Sequence, residues 1–323
     1  MNRIKVAVVG FGVMGQYHAN NYAGMPQARL VAAVDPDPAK RQLAEQRFGI
    51  RSWATVEELL ANEEVTAVSV AAPTSRHFEA SSQLLRHGVH VLVEKPLAPT
   101  VEQASQLVDL SRDRGLVLQV GHITRFYEAV HRLNETVTSP YLIEARRTTP
   151  HTRIRDVGVV LDLMIHDIDI LLKLVPAGIS SVSVAGHALD GNGFEDVAAA
   201  QLVFDNGCIA RLLASRAAYT VERSLTVVER DQMVTVDFSR DPHTEVAIHR
   251  PAGGSGGSVQ VERFEVEEDN PLRRELAHFL ARISHAEAPI GTAEDDLRSL
   301  AVATRLLEHM KVARLEELER AFR

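Results

Sequence analysis

Residues 4–9 (IKVAVV) form a short apolar run, and the next six are Gly10, Phe11, Gly12, Val13, Met14 and Gly15. Three glycines at G-x-G-x-x-G spacing, after a buried-strand pattern and before a helical stretch from Tyr17 to Ala23, constrain this chain more than any other feature. The first glycine permits a tight turn, the second lets backbone approach a pyrophosphate, and the third lets helix pack on strand. The anion then rests on the amide-rich N-terminus of the helix. A second apolar strand, Leu30 to Val34, ends in Asp35, twenty residues after Gly15. A carboxylate there accepts from ribose hydroxyls and repels a 2′-phosphate. The expected cofactor is NAD rather than NADP, although Lys40 and Arg41 leave room for dual use. The bland alternative for Asp35 is a strand end before a turn at Pro36.

The alternation continues: helices over Ala39–Phe48, Val56–Asn62, Phe78–His87 and Val101–Arg114 separate strands over Val65–Ala71, Val89–Val93 and Val117–Val120. Strands alternating with helices predict an α/β, doubly wound parallel sheet, a Rossmann fold. Ligands of such sheets bind beyond the carboxyl ends of the strands. Two ends are equipped for that. After Val65–Ala71 come Ala72, Pro73, Thr74 and His77; after Val89–Val93 come Glu94, Lys95 and Pro96. A lysine at a strand mouth can donate to a hydroxyl and favour its oxyanion. Without that context Lys95 reads as a solvated lysine, and Thr74 with His77 as a capping cluster.

Val157 to Val175 is the second constraining stretch. At 100° per residue, Asp162, His166, Asp169 and Lys173 share a stripe roughly 60° wide, while nearly every other position except Asp167 is apolar. A helix apolar on most sides is buried, so its polar stripe is expected to line a cleft. Asp162 and His166 stand at i, i+4, where a carboxylate can orient and charge-stabilise an imidazole acting as general base. A solvated ion pair is the competing interpretation. With one histidine on the stripe and no second His or Cys at ligand spacing, no metal site is expected.

The 323 residues are enough for two domains, divided here as 1–121, dinucleotide-binding, and 122–323, substrate-binding and oligomerising. Hydrophobic content of 45% and charged content of 24% are those of a globular chain. A net charge of −8, spread along the sequence, disfavours nucleic acid and offers no basic membrane patch. Cys208 is the single cysteine, which precludes an intramolecular disulfide and fits a reducing compartment. No apolar run is long enough for a signal peptide or a membrane span, so the cytoplasm is the expected location.

A helix is expected at Phe126–Thr136 and a strand at Leu142–Arg147. Four arginines cluster before the Val157–Val175 stretch: Arg146, Arg147, Arg153 and Arg155. Forked guanidinium groups suit a diphosphate, and they equally suit pairing with carboxylates. His122 and Arg125, after the last Rossmann strand, are candidates for touching cofactor or substrate, with structural roles as the alternative. From Val182 the pattern turns to strands: Val182–Ala185, Val197–Phe204, Cys208–Ala214, Leu225–Glu229, Met233–Phe238, Glu245–His249 and Val259–Val266. Asp205-Asn206-Gly207 is a hairpin turn, and Ala252–Gly257 a flexible one. The expectation is a large, open, mostly antiparallel sheet with the Val157–Val175 helix on one face. Its other face would meet a second copy, giving a homo-oligomer, dimer or tetramer. Helices over Pro271–Ser284 and Ala293–Glu319 close the chain.

Taken together, GFGVMG, Asp35, Pro73-Thr74 with His77, Glu94-Lys95-Pro96, and Asp162 with His166 resemble the Gfo/Idh/MocA family of NAD(P)-dependent oxidoreductases over essentially the whole chain. That resemblance implies a dehydrogenase of sugar or polyol hydroxyls, with Lys95, Asp162 and His166 as the catalytic group and Pro96 after a cis peptide. It implies cofactor contacts from Gly10, Phe11, Gly12, Val13, Met14, Gly15, Asp35, Ala72, Pro73, Thr74, His77, Glu94, Lys95 and His122. Substrate contacts are implied for Lys95, His122, Arg125, Arg153, Arg155, Asp162 and His166. Val120–Phe126 (VGHITRF), Arg146–Val157 and GVVLDLMIHDID resemble the branch acting on the 3-hydroxyl of UDP-N-acetylglucosamine, although Tyr127-Glu128-Ala129 departs from the Asn-Pro-Ala of that branch. The alternatives are a dehydrogenase of a free polyol such as myo-inositol, and a non-catalytic NAD-binding sensor.

Overall fold

The computed structural model describes residues 3–150, 156–189, 193–239, 243–252, 258–267 and 270–314. The first part of the chain alternates strictly: β1 (Ile4–Val9), α1 (Val13–Ala23), β2 (Ala28–Val34), α2 (Pro38–Phe48), β3 (Arg51–Trp53), α3 (Val56–Asn62), β4 (Ala67–Val70), α4 (Thr74–Arg86), β5 (His90–Glu94), α5 (Val101–Asp113) and β6 (Leu118–Gly121). Local chemistry sets several helix starts. Asp37 accepts from the Ala39 amide with Pro38 at the first helical position, Thr55 accepts from Glu58 N, and Thr100 from Gln103 N. The six strands pair in parallel in the order β3-β2-β1-β4-β5-β6. This is the doubly wound order, with its reversal between β1 and β4, where a crevice opens beyond the strand ends.

The rest comprises a 3-10 turn (Ile123–Phe126), α6 (Glu128–Thr136), β7 (Leu142–Pro150), a π-helical turn (Val160–Met164), α7 (Ile165–Leu174), β8 (Ile179–Ala188), β9 (Val197–Phe204), β10 (Ile209–Ser215), β11 (Ala217–Val228), β12 (Met233–Asp237), β13 (His243–Pro251), β14 (Val259–Glu267), α8 (Pro271–His285), α9 (Ala293–His309) and β15 (Lys311–Arg314). Among the described residues the second sheet has nine strands, ordered β14-β13-β12-β11-β7-β10-β9-β8-β15. Only β7 with β10 and β8 with β15 run parallel. The expected hairpin is present: Val203 pairs with Ile209 across Asp205-Asn206-Gly207, and Gly207 takes φ +87°. The glycine-rich turn at 253–257 lies outside the described residues.

Two compact units result, one of Met1–Ile123 with Asn270–Leu300 and the other of Thr124–Asp269 with Ala301–Arg323. The division at residue 121 therefore needs correction for Asn270–Leu300. Leu272, Leu276, Phe279 and Leu280 of α8 bury in one cluster with Val6, Val8, Tyr22 and Met25, so this helix completes the core of the first unit. In the second unit Met164, Ile168, Leu171 and Val175 bury against the sheet residues Ile143, Ala198, Leu202 and Leu212.

Two further expectations are revised. The last helix ends at His309 rather than Glu319, because the backbone of Lys311–Arg314 pairs in register with Ala185–Ala188 on the edge of β8. An available strand edge outweighs helical propensity there. The Val157–Val175 stretch is not one regular α-helix, since it opens with the π turn at Val160–Met164. No helix among the described residues is long and apolar enough to cross a membrane.

Candidate active site

In the first unit the glycine turn sits at the strand-order reversal. Gly10 takes φ +85°, and a Cβ there would lie 2.6 Å from Ala72 N and 2.7 Å from Ala71 C, so only glycine fits between the ends of β1 and β4. Gly12 is the N-cap of α1 and has open space at its Cβ position; no side chain caps the helix, and its first turn carries no acidic residue. A helix start with no side-chain cap, beside an open glycine, fits the pyrophosphate of a dinucleotide. Val13 and Met14 flank this surface at 44% and 36% exposure.

Asp35, at the end of β2, is positioned by two backbone amides: Phe11 N donates to Oδ2 at 2.8 Å and Asp37 N to Oδ1 at 2.9 Å. Each oxygen spends one lone pair, leaving acceptor capacity for ribose hydroxyls. Lys40 Nζ stands 3.6 Å from Oδ2, whereas Arg41 donates to the carbonyls of Asp35 and Pro36. Arg41 thus braces the backbone of this turn.

The two equipped strand ends are tied together by His77, which is buried. Its Nδ1 faces Pro96 O at 2.8 Å and its Nε2 faces Ala72 O at 2.9 Å. Thr74 opens α4 and is buried with it. The Lys95–Pro96 bond is cis, as the resemblance implied. Lys95 is half-buried. Beside it Glu94 Oε1 lies 2.9 Å from Nε2 of the fully buried His18 on α1. Burial works to raise the Glu94 pKa, but the His18 hydrogen bond and the charges of His18, Lys95 and His77 prevail and hold it below the usual range. His122 is 1% exposed, with Nε2 3.8 Å from Asp296 Oδ1.

In the second unit Asp162 lies in the π turn, 3% exposed, and His166 follows as the second residue of α7, half-buried. Single π turns concentrate at functional sites. The polar stripe is more committed than its spacing suggested. Asp169 receives a two-pronged hydrogen bond from Arg125 at 2.8 and 2.6 Å, and Lys173 is exposed. Asp167, off the stripe, pairs with buried Arg147 at 2.7 Å. Burial opposes the Arg147 charge, yet Asp167 outweighs it, with smaller help from Tyr127 and Asp162, and the guanidinium pKa is raised. Arg146 reaches Glu222 at 3.3 Å on the surface. Two of the four arginines considered for a diphosphate are therefore paired with carboxylates, and Arg153 and Arg155 lie outside the described residues. No group of three or more potential metal ligands occurs among the described residues.

Neither spacing nor periodicity points to the contacts made by His18, Asp167 and Glu195. The Glu195 carboxylate accepts from Val160 N at the start of the π turn. The available signals were a histidine three residues past Gly15, and the Glu195-Asp196 pair just before a strand.

A glycine turn at the reversal of a doubly wound sheet, an acidic residue ending β2, and a lysine at the mouth of β5 define a nucleotide-dependent oxidoreductase architecture. Residues 4–122 match the oxidoreductase family with an NAD-binding Rossmann fold, and residues 129–237 match the Gfo/Idh/MocA C-terminal domain. The chain belongs to the Gfo/Idh/MocA family. It is 34% identical over 294 residues to the UDP-N-acetylglucosamine 3-dehydrogenase of Acidithiobacillus ferrooxidans, covering 90% of this chain and 91% of that one. A solved structure of that enzyme superposes with a TM-score of 0.88, at 30% identity over 96% of this chain and 98% of the other. The scyllo-inositol 2-dehydrogenase (NAD(+)) of Bacillus subtilis is 26% identical over 93% of this chain and 92% of its own length.

Proposed function

We propose that this protein oxidises the 3-hydroxyl of UDP-N-acetylglucosamine to a 3-keto nucleotide sugar, with NAD as acceptor. The observation carrying that substrate is the 34% identity, over nine-tenths of both chains, to an enzyme of that activity.

In this reading the amides of Gly10–Gly15 hold the pyrophosphate and Asp35 the ribose hydroxyls, with Ala72, Pro73, Thr74 and Glu94 on the neighbouring strand ends. His166 takes the hydroxyl proton, and Asp162 orients the imidazole and balances the charge it gains. Lys95 favours the alkoxide as it develops. Bound NAD supplies a two-electron acceptor for the hydride leaving the carbinol carbon. His122 and Arg125 are substrate-side residues, Arg125 held in place by Asp169, and Arg153 with Arg155 engage the diphosphate. The protein works in the cytoplasm as a homo-oligomer built on the open sheet face, where Ile209 is exposed while its neighbours Ala210 and Leu212 face the core.

A second reading, oxidation of a free polyol, draws on the full-length likeness to the inositol enzyme and on the carboxylate partners of Arg146 and Arg147. NADH formation with UDP-N-acetylglucosamine, other UDP-sugars and inositols separates the two readings. Turnover on UDP-N-acetylglucosamine far above that on the inositols supports the proposal, the reverse order supports the polyol reading, and no turnover on any supports a sensor. Asp35→Ala tests the cofactor assignment. Losing a charged hydrogen-bond acceptor for the ribose should weaken NAD binding about 10- to 100-fold and narrow the preference over NADP. An unchanged NAD/NADP affinity ratio, measured by fluorescence titration, would contradict the role given to Asp35.

A further inference from the structure

The helical segment that carries Asp162 and His166 is held at its start by a residue from outside it. The backbone carbonyl of Glu195 accepts from Val159 N at 3.0 Å, and its Oε1 accepts from Val160 N at 2.9 Å. One residue thereby satisfies two of the amides that a helix start leaves without intrahelical partners.

The side chain fits there because residue 158 is glycine. A Cβ on Gly158 would lie 2.0 Å from Glu195 Oε2 and 2.1 Å from Oε1. Gly158 O in turn accepts from Asp162 N at 3.0 Å, so the residue that makes room for the carboxylate also closes the turn bearing Asp162. The approach of Glu195 is braced from behind. Arg216 donates through Nε to Asp196 Oδ1 at 2.5 Å and through Nη1 to Val157 O at 3.0 Å, and Asp196 N donates to His187 O at 2.7 Å.

We propose that Glu195 is a positioning residue for the alcohol oxidation: its side chain, seated over Gly158, sets the turn that presents Asp162 and then His166. This rests on the roles given to Asp162 and His166 above. Glu195 acts through the turn, and the group required at Val160 N is a hydrogen-bond acceptor of the right length rather than a charge. Burial, which raises the Glu195 pKa against the pull of the Val160 amide and Arg216, accords with that requirement.

Four variants test this: Glu195→Ala, Glu195→Gln, Gly158→Ala, and Gly158→Ala combined with Glu195→Ala. The measurements are amide hydrogen exchange at residues 159–162, kcat and KM for the nucleotide sugar, and the NAD dissociation constant. Glu195→Ala and Gly158→Ala should each speed exchange and lower kcat by about 10- to 100-fold, the range expected when catalytic groups shift by about an ångström, with NAD affinity unchanged. Glu195→Gln should retain most of the turnover, because its side-chain oxygen still accepts from Val160. The double variant should be no worse than either single one, since Gly158→Ala acts by displacing the Glu195 carboxylate. Gly158→Ala leaves residue 195 itself unaltered, so the test survives if Glu195→Ala folds poorly. Wild-type kcat in both single variants, or losses that add in the double, would overturn the proposal. His166→Ala, run alongside, separates this from the wider reading. If it keeps full turnover, the assignment of the base fails; if it is inactive while the Glu195 and Gly158 variants behave as wild type, only the positioning proposal fails.

Discussion

Lys95→Ala and His166→Ala are each expected to lower turnover by about 10²- to 10⁴-fold, the range for loss of a positioned acid–base or oxyanion group. His166 is not among the residues assigned the dinucleotide, so NAD affinity should stay nearly constant in His166→Ala; Lys95 lies outside the glycine turn and the Asp35 corner, so Lys95→Ala should lose far more turnover than NAD affinity. The two groups are assigned to one event, proton removal with stabilisation of the alkoxide left behind. Their effects should therefore fall short of multiplying in the double variant, as is usual for residues acting as a unit. Lys95→Arg is not a substitute, since a planar fork on a longer stem does not reproduce a compact ammonium. Stopped-flow measurement of NADH formation, with parallel titration of NAD, checks both parts. Undiminished turnover in both single variants would refute the assignment.

The second large effect is expected at Gly15, where a Cβ would lie 1.8 Å from Gly10 O and 2.9 Å from Gly10 C. Both are backbone atoms of the tight turn, so no side-chain rotation relieves the clash and either the turn or α1 must move. Gly15→Ala should destabilise the first unit by about 1–3 kcal/mol or more, as overpacking of a closely packed contact does. It should weaken NAD binding more than Asp35→Ala does, because the displaced turn carries the amides that face the pyrophosphate. Calorimetric unfolding with and without NAD reads both consequences. A variant that melts as wild type and keeps its NAD-induced stabilisation would show that the turn is not the nucleotide cradle.

The features legible in the sequence share one property: their chemistry is local. The glycine spacing, the Asp35 that ends β2, the alternation of strands and helices, and the Asp205-Asn206-Gly207 turn each lie within a single stretch, and each follows from backbone sterics or periodicity. The features that escaped are contacts between stretches far apart in the chain. The α8 helix shows an ordinary amphipathic pattern, and nothing in it specifies that Leu276 and Phe279 meet Val6 and Tyr22. Glu195 lies 35 positions from the amide it accepts from, and His18 76 positions from Glu94. Spacing alone sets Asp162 and His166 at i, i+4 of a regular α-helix, and the π turn departs from that where an outside residue takes the first amides. The arginine cluster was open to two interpretations, and for Arg146 and Arg147 the carboxylates Glu222 and Asp167 decide it.

The central claim, that this protein moves a hydride from C3 of UDP-N-acetylglucosamine to NAD, has a direct isotopic test. The protein is incubated with NAD and substrate carrying deuterium at C3, and the reduced cofactor is analysed by mass spectrometry. NADH that carries the deuterium, accompanied by a 3-keto nucleotide sugar, is the expected product. Reduced cofactor without the label, or no reduction with any UDP-sugar, would contradict it.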